Sequence, residues 1–107
     1  MKTYIKVNKE LIPYYFNIAL ADEIFTLEFN YNRTGDFFTV ALRKDGELIS
    51  AGEKLVYGVP LWQSTYISNK HPCLTIVPLA ENADGVKAVT YDNLEKTVFL
   101  VVDDEEG

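Results

Sequence analysis

The chain has 107 residues, of which 48% are hydrophobic and 24% charged, and it carries a formal net charge of −6. This length predicts one domain, and the hydrophobic content with 13 Tyr and Phe residues and one Trp can fill a single core, which argues against a disordered chain. The single cysteine, Cys73, excludes an intrachain disulfide framework, and its apolar surroundings favour a small buried side chain.

Negative charge is concentrated at the C-terminus, where residues 103–106 are all acidic. The first 102 residues hold 10 basic against the remaining 12 acidic side chains. We therefore expect a nearly neutral β domain with its core over about residues 4–102 and a frayed acidic tail over 103–107. Such a body lacks the basic surface that phosphate binding needs, so nucleic acid is not an expected partner.

Membrane and secretory segments are not expected either. No apolar run reaches 18 residues, and the N-terminal segment MKTYIKVNKE has charges every few residues and no apolar stretch. The sequence predicts a soluble protein made in the cytoplasm.

Apolar and polar residues alternate with a period of two along much of the chain, which predicts antiparallel strands. In one strand the even positions from Tyr14 to Leu20 should face the core, and in the next the odd positions from Phe25 to Tyr31. The predicted strands are 4–7, 14–20, 24–31, 36–43, 47–57 with an interruption at Ala51-Gly52, 73–79, 86–91 and 97–102. No significant helix is expected. The predicted fold class is all-β, a small antiparallel partly open barrel or sandwich of about seven or eight strands.

Turn residues separate these strands. Asp45-Gly46 is the strongest hairpin signal, and Ala21-Asp22-Glu23 predicts a second short connection. In a third turn, 32–35, Gly35 is expected to supply a positive φ. The glycine at position 52 predicts a bulge or a sharp bend within its strand.

Residues 58–72 form a long irregular segment with polar residues between large apolar ones. Loops of this length in small domains are usually functional or fold back over the core. Large amphipathic side chains in such a loop are common interface anchors, so we expect partner contact here. The alternative is that Trp62 fills the open end of its own fold. The expected contact residues are Leu61, Trp62, Tyr66 and Ile67.

The sequence offers few candidate catalytic or metal-binding residues. His71 is the single histidine and lacks metal-spaced carboxylates, and its proximity to Cys73 favours a loop residue beside a core thiol over a catalytic pair. Strand phase and turns place the other candidate carboxylates on solvent-exposed surfaces, away from the apolar cleft that acid–base catalysis would need. These carboxylates are Glu28, Asp36, Glu47 and Glu53. Phosphate-binding, hydrolase and metal motifs are missing from the sequence, so we predict no catalytic residue, no metal, no cofactor and no enzymatic activity.

Several aromatic residues fall on the side of their strands opposite the predicted core, including Tyr15, Phe37, Tyr57 and Tyr91. A row of exposed aromatic rings would suit a sugar-binding or protein-binding face. Burial of both strand faces explains the same pattern equally well.

A series of short elements follows in a recognisable order: Phe16-Asn17-Ile18-Ala19-Leu20, Asn30-Tyr31-Asn32, Phe37 to Leu42, Leu48, Gly52, Leu55-Val56, Gly58, Asp92-Asn93-Leu94, Val98 and Leu100. This order resembles the baseplate plug family of contractile-tailed bacteriophages over roughly residues 14–102. Two departures are Glu95, where the family pattern has glycine, and the strand-like extension YIKV, which could add an edge strand.

The resemblance implies a non-enzymatic virion protein of the tail baseplate hub. Such a protein would close or line the tail-tip channel and join hub and tube components. Its expected partners are other phage tail and baseplate hub proteins, and a homo-oligomer is a further possibility. The competing hypothesis is a carbohydrate- or receptor-binding β module that stacks ligands on Trp62, Tyr66 and Tyr57.

Overall fold

The computed structural model describes residues 3–62, 74–80 and 85–103. Nearly all regular structure in these ranges is β-strand, with one short 3-10 turn, Lys9–Leu11. The strands are β1 (Thr3–Ile5), β2 (Tyr14–Leu20), β3 (Glu23–Asn32), β4 (Phe37–Lys44), β5 (Glu47–Lys54), β6 (Thr75–Ala80) and β7 (Val98–Asp103). The predicted all-β class is confirmed.

The strands form two antiparallel sheets that do not close into a barrel. One sheet has four strands in the order β2-β3-β4-β5, which is the order of the sequence. The other has three strands in the order β1-β7-β6, so β7 lies between the first and the sixth strand. The N-terminal extension therefore does add an edge strand, because β1 pairs with β7.

One hydrophobic cluster joins the two sheets, and its centre comes from β3 and β4. Phe25, Leu27 and Phe29 are each at most 1% exposed, as the odd-position pattern predicts. Side chains from the three-stranded sheet, such as Ile76 and Leu100, belong to the same cluster. Each buried side chain of this size contributes about 1.5–3 kcal/mol relative to an exposed one, so the alternation itself drives the sheets together.

Two hairpins have the left-handed turns that match the twist of antiparallel strands. Asp45 and Gly46 have φ values of 53° and 82°, as the sequence predicts. Ala21 and Asp22, with φ values of 52° and 69°, make the same kind of turn without a glycine.

The turn between β3 and β4 differs from the prediction. Gly35 does not have a positive φ; Asp36 does, at 54°. Glycine is needed at position 35 for another reason, because a Cβ there would lie 2.6 Å from Cε2 of Phe37. The Asn32 side chain fixes the turn by accepting a hydrogen bond from the Gly35 amide at 2.9 Å.

The interruption predicted in β5 is present as an irregular register against β4. Val40 pairs with Glu53 and Leu42 with Ser50, so β5 contains one more residue than β4 across the Ala51-Gly52 step. A second shift follows between Leu42 and Arg43. These are β-bulges, which bend the strand and interrupt its outer edge.

The predicted strand over 86–91 is wrong. Its backbone groups bond to side chains instead of to a neighbouring strand, which is the competition that Asn and Thr offer to regular structure. The Asn93 side chain accepts from the Thr90 amide and donates to the Ala88 carbonyl, both at 2.9 Å. The segment still contributes to the core through Val89, which is 2% exposed.

Candidate interaction surfaces

A crossover segment, residues 55–62, carries the chain from the four-stranded sheet to the three-stranded one. The amide of Gly58 donates to the carbonyl of Pro78 at 2.9 Å, and the amide of Leu61 donates to that of Ile76 at 2.8 Å. Both acceptors belong to β6. The crossover segment therefore covers the outer edge of β6, where Pro78 has no amide hydrogen to contribute.

The structure places two of the four predicted contact residues inside the protein. Leu61 is 8% exposed and Trp62 4%, and both belong to the hydrophobic cluster. For Trp62 this is the alternative that the sequence left open. Tyr66 and Ile67 lie outside the described residues. Partner contact through residues 61–67 stays a prediction.

Glu53 holds the end of the crossover segment. Its carboxylate Oε2 accepts a hydrogen bond of 2.9 Å from the amide of Trp62, which has a φ of 59°. Glu53 pairs directly with Val40, which is fully buried. Glu53 therefore lies on the inner side of β5, and the predicted solvent-exposed position is wrong. The two register shifts between Glu47 and Glu53 reverse the phase twice and so cancel, and the pairing with Val40 fixes the side on which Glu53 lies.

In the described part of the chain, the other candidate catalytic or metal-binding side chains do not come together in one site. Asp36 and Glu47 are exposed and Glu28 is half-buried on the outer face of its sheet. Within the described ranges no three His, Cys, Asp or Glu side chains come together in a way that could hold a metal ion. His71 and Cys73 lie outside those ranges.

A cluster of hydrogen bonds around Asp36, called the Asp36 cluster here, joins the β3–β4 hairpin to the segment before β7. The Asp36 carboxylate accepts from the Tyr91 amide at 2.9 Å and from the Tyr31 hydroxyl at 2.7 Å. Both hydrogen bonds lower the pKa of Asp36, and the one from the Tyr91 amide has the larger effect. The same carboxylate, chiefly through its hydrogen bond with the hydroxyl, raises the pKa of Tyr31. The Asp36 cluster favours an ionised Asp36 beside a neutral Tyr31, as expected for a contact that stabilises the fold.

A cleft of about 460 Å³ opens beside the Asp36 cluster. Its tyrosine rings, Tyr31 and Tyr91, lie 5.1 Å apart and are inclined by 59°. The Lys9 ammonium stands 4.8 Å from the centre of the Tyr91 ring and donates to the Tyr91 carbonyl, so it is engaged within the protein. Inclined rings do not form the flat platform on which a sugar stacks.

The other aromatic residues expected on the surface divide into two groups. Tyr15 is 72% exposed and Tyr91 39%. Phe37 is half-buried beneath the Lys54 ammonium, 4.7 Å from its ring centre, and the half-buried Tyr57 accepts from the Ala80 amide. With Trp62 also buried, the stacking platform of the carbohydrate hypothesis loses its principal ring.

A set of adjacent apolar side chains lies on the outer side of the three-stranded sheet. Cross-strand pairing aligns Tyr4 with Val101 and Val101 with Val77, and in the next row it aligns Phe99 with Leu79. None of these side chains belongs to the central cluster, because they point to the opposite side of the sheet. The rings of Tyr4 and Phe99 lie 5.0 Å apart, and Tyr4 is 54% exposed, whereas Val77, Leu79 and Phe99 are half-buried and Val101 is 7% exposed. We call this set the outer apolar face: Tyr4, Val77, Leu79, Phe99 and Val101.

Sequence reasoning did not single out the outer apolar face, although a signal for it exists. Residues 98–102 read VFLVV, a continuous apolar run in place of alternation. Continuous apolar strands are typical of sheets that are covered on both faces. The structure shows a core on one face of β7 and the outer apolar face on the other, so the run reflects apolar side chains on both faces of β7.

The two sheets and their surfaces define a small β protein whose recognisable features are contact surfaces. No helix within the described ranges has the length and apolar character required to cross a membrane. Residues 2–105 match the family described as Cyanophage baseplate Pam3 plug gp18. The chain therefore belongs to this family of phage baseplate plug proteins, as its sequence resemblance implied. No curated protein and no solved structure matches the chain significantly.

Family membership fixes the general role. The chain is a structural protein of a phage tail baseplate, its location is the virion tail, and its partners are other baseplate components.

Proposed function

We propose that this protein closes or lines the tail-tip channel at the baseplate hub and joins hub and tube components through protein–protein contacts. It is made in the host cytoplasm before assembly, and it works without catalysis, cofactor or nucleic acid. Membership of the plug family over residues 2–105 supports this role.

The outer apolar face is the observation that carries the proposal. Its five side chains form two adjacent cross-strand rows on one sheet. On the outer side of the four-stranded sheet, by contrast, polar side chains such as Thr26 and Arg43 separate the exposed apolar ones. These apolar side chains are Tyr15, Ile24, which pairs with Ala19, and Leu48. A contiguous apolar patch on a small domain is typical of a protein-binding surface. We assign it to a neighbouring baseplate protein that presents an apolar surface of similar size.

The predicted contact residues fit this arrangement in two ways. Leu61 supports an interface indirectly, because its amide bonds the crossover segment to the edge of β6, which carries Val77 and Leu79 of the outer apolar face. Trp62 holds the end of the same segment through burial in the hydrophobic cluster and its bond to Glu53. Tyr66 and Ile67 follow in sequence and are proposed to contact the partner directly.

The test is co-purification of the tagged chain with the other baseplate proteins from cells that express the tail gene cluster. We expect the wild type to recover hub or tube proteins, and the Tyr4→Ser/Leu79→Ser variant to recover at least tenfold less. The matched control is Ile24→Ser/Leu48→Ser, which removes two exposed apolar side chains, 60% and 46% exposed, from the other sheet.

Thermal unfolding of each variant separates lost contact from lost folding. Recovery of no baseplate protein by the folded wild type would contradict the proposed role. Equal losses in the two folded variants would retain the role and reject the outer apolar face as its surface.

A further inference from the structure

The two sheets have four edge strands, and three of them are protected. β6 is bonded to the crossover segment, β5 is interrupted by two bulges, and β1 has only three residues. These are recognised ways of preventing a sheet from pairing with another chain.

Among the described residues, the fourth edge, β2, has none of these protections. It runs for seven residues, YYFNIAL, with unbroken register against β3 and with no charge or proline. In the part of the chain that the structure describes, no backbone hydrogen bond reaches β2 from outside its own sheet. An uncharged, regular edge of this length exposes amide and carbonyl groups that can pair with another strand.

The hydrophobic core is also open along this edge. Phe16 and Ile18 point to the core side of the sheet, yet both are only half-buried. Their direct partners on β3, Leu27 and Phe25, are each 1% exposed. The difference arises because β2 has a neighbouring strand on one side only, so the apolar layer stops before it is covered.

We propose that β2 pairs antiparallel with β2 of a second copy of this chain, about a two-fold axis at Asn17. The two four-stranded sheets would then form one continuous eight-stranded sheet. A two-fold interface requires that a surface complement itself, and two-fold dimers are the commonest oligomers. This inference concerns self-association and is independent of which baseplate protein the outer apolar face contacts.

The sequence of β2 meets the requirement of self-complementarity. Around Asn17, Phe16 of each copy stands opposite Ile18 of the other on the core side, which extends the apolar layer across the junction. On the outer side Tyr15, the most exposed of the large apolar side chains at 72%, stands opposite Ala19, which leaves room for its ring. Since β2 has no charged residue, no like charges face each other.

Asn17 itself suits the axis. Its Oδ1 accepts a hydrogen bond of 2.7 Å from the Thr26 hydroxyl, which orients the amide. The amide nitrogen can donate two hydrogen bonds and the oxygen can accept a second one. Two Asn17 side chains facing each other can therefore pair amide to amide.

Charge substitution at position 17 gives the sharpest test. Asn17→Lys or Asn17→Asp places two like charges directly opposite each other in the proposed dimer, and each should raise the dissociation constant at least about tenfold. Mixing the two variants places Lys opposite Asp and should restore dimerisation. The measurement is sedimentation equilibrium of wild type, each variant and the mixture, with melting temperatures to show that each is folded.

A concentration-dependent wild-type dimer, its loss in both variants and its recovery in the mixture would establish the pairing. The Ile24→Ser variant serves as the control, since it changes an exposed side chain outside β2 and should dimerise normally. A wild type that is monomeric at every concentration would overturn the proposal. A dimer that both charged variants retain, or a mixture that stays monomeric, would overturn it as well.

Discussion

The carboxylate of Asp36 accepts a hydrogen bond of 2.9 Å from the amide of Tyr91, 55 positions further along the chain. This contact ties the tip of the β3–β4 hairpin to the segment that leads into β7. Two other carboxylates make comparable ties. Glu53 accepts from the amide of Trp62, and Glu95 accepts from the amide of Val7 at 3.2 Å. Carboxylate side chains therefore secure the irregular segments between the two sheets.

Acid should weaken the Asp36 tie. Because the folded state lowers the pKa of Asp36, the tie stabilises the fold above the ordinary carboxyl pKa of about 4, and this contribution is lost as the pH falls through the folded value. Asp36→Asn should melt at a lower temperature than wild type at pH 7 and should lose less stability between pH 5 and pH 3. Urea denaturation at each pH measures both effects.

The control for that experiment is Asp45→Asn in the exposed β4–β5 turn, where asparagine preserves the turn. An acid dependence that is identical in wild type and Asp36→Asn would show that the Asp36 tie does not contribute.

Glu95 should reveal a balance between backbone strain and side-chain bonding. Its φ of 71° lies in the left-handed region, where any residue with a Cβ is disfavoured by about 1 kcal/mol or more. Glu95→Ala loses the bond to Val7 and keeps the strain, whereas Glu95→Gly loses both. We expect Glu95→Gly to be more stable than Glu95→Ala by about 1 kcal/mol, as measured by urea denaturation. Equal stabilities would show that position 95 is not strained.

Trp62 should behave as a core residue. Truncating a buried tryptophan to alanine costs about 3–5 kcal/mol through lost burial and the cavity that remains, so Trp62→Ala should be strongly destabilised. Leu48→Ala, at an exposed position of β5, should change the free energy of unfolding by less than about 0.5 kcal/mol. A Trp62→Ala variant with wild-type stability would contradict the observed burial.

The β2–β3 turn should be open to improvement. Ala21 and Asp22 adopt positive φ values that Asn-Gly adopts more easily. Ala21→Asn/Asp22→Gly should raise the free energy of unfolding by about 1 kcal/mol, since alanine in the left-handed region is strained. The Asp45→Asn variant, in a turn that already has glycine at its second position, provides the comparison and should gain little. A double variant that is less stable than wild type would contradict the assigned turn geometry.

The sequence predicts most of the strands because their alternation is clean. Phe25, Leu27 and Phe29 repeat with period two and all are buried, and Asp45-Gly46 marks a hairpin. Sequence pattern fails where side chains capture the backbone. Val86 to Tyr91 has an apolar content suited to a strand, but Asn93 and Asp36 bond its backbone groups.

The interaction surfaces are harder to predict because they depend on strand pairing and on sheet order. A carboxylate such as Glu53 suits a solvent-exposed position, but its pairing partner on β4 is the buried Val40. The outer apolar face requires that β7 lie between β1 and β6, a long-range arrangement that periodicity does not contain. Trp62 shows the related difficulty that an aromatic residue beside a loop suits a core as well as an interface.

Site-specific photo-crosslinking in phage-producing cells tests the proposed baseplate contact most directly. A photoreactive phenylalanine derivative replaces Tyr4 on the outer apolar face or, as the control, Ile24 on the other sheet. We expect covalent products with hub or tube proteins from position 4 and few from position 24. Contrary results would be products from position 24 alone, or none from position 4 in assembled particles.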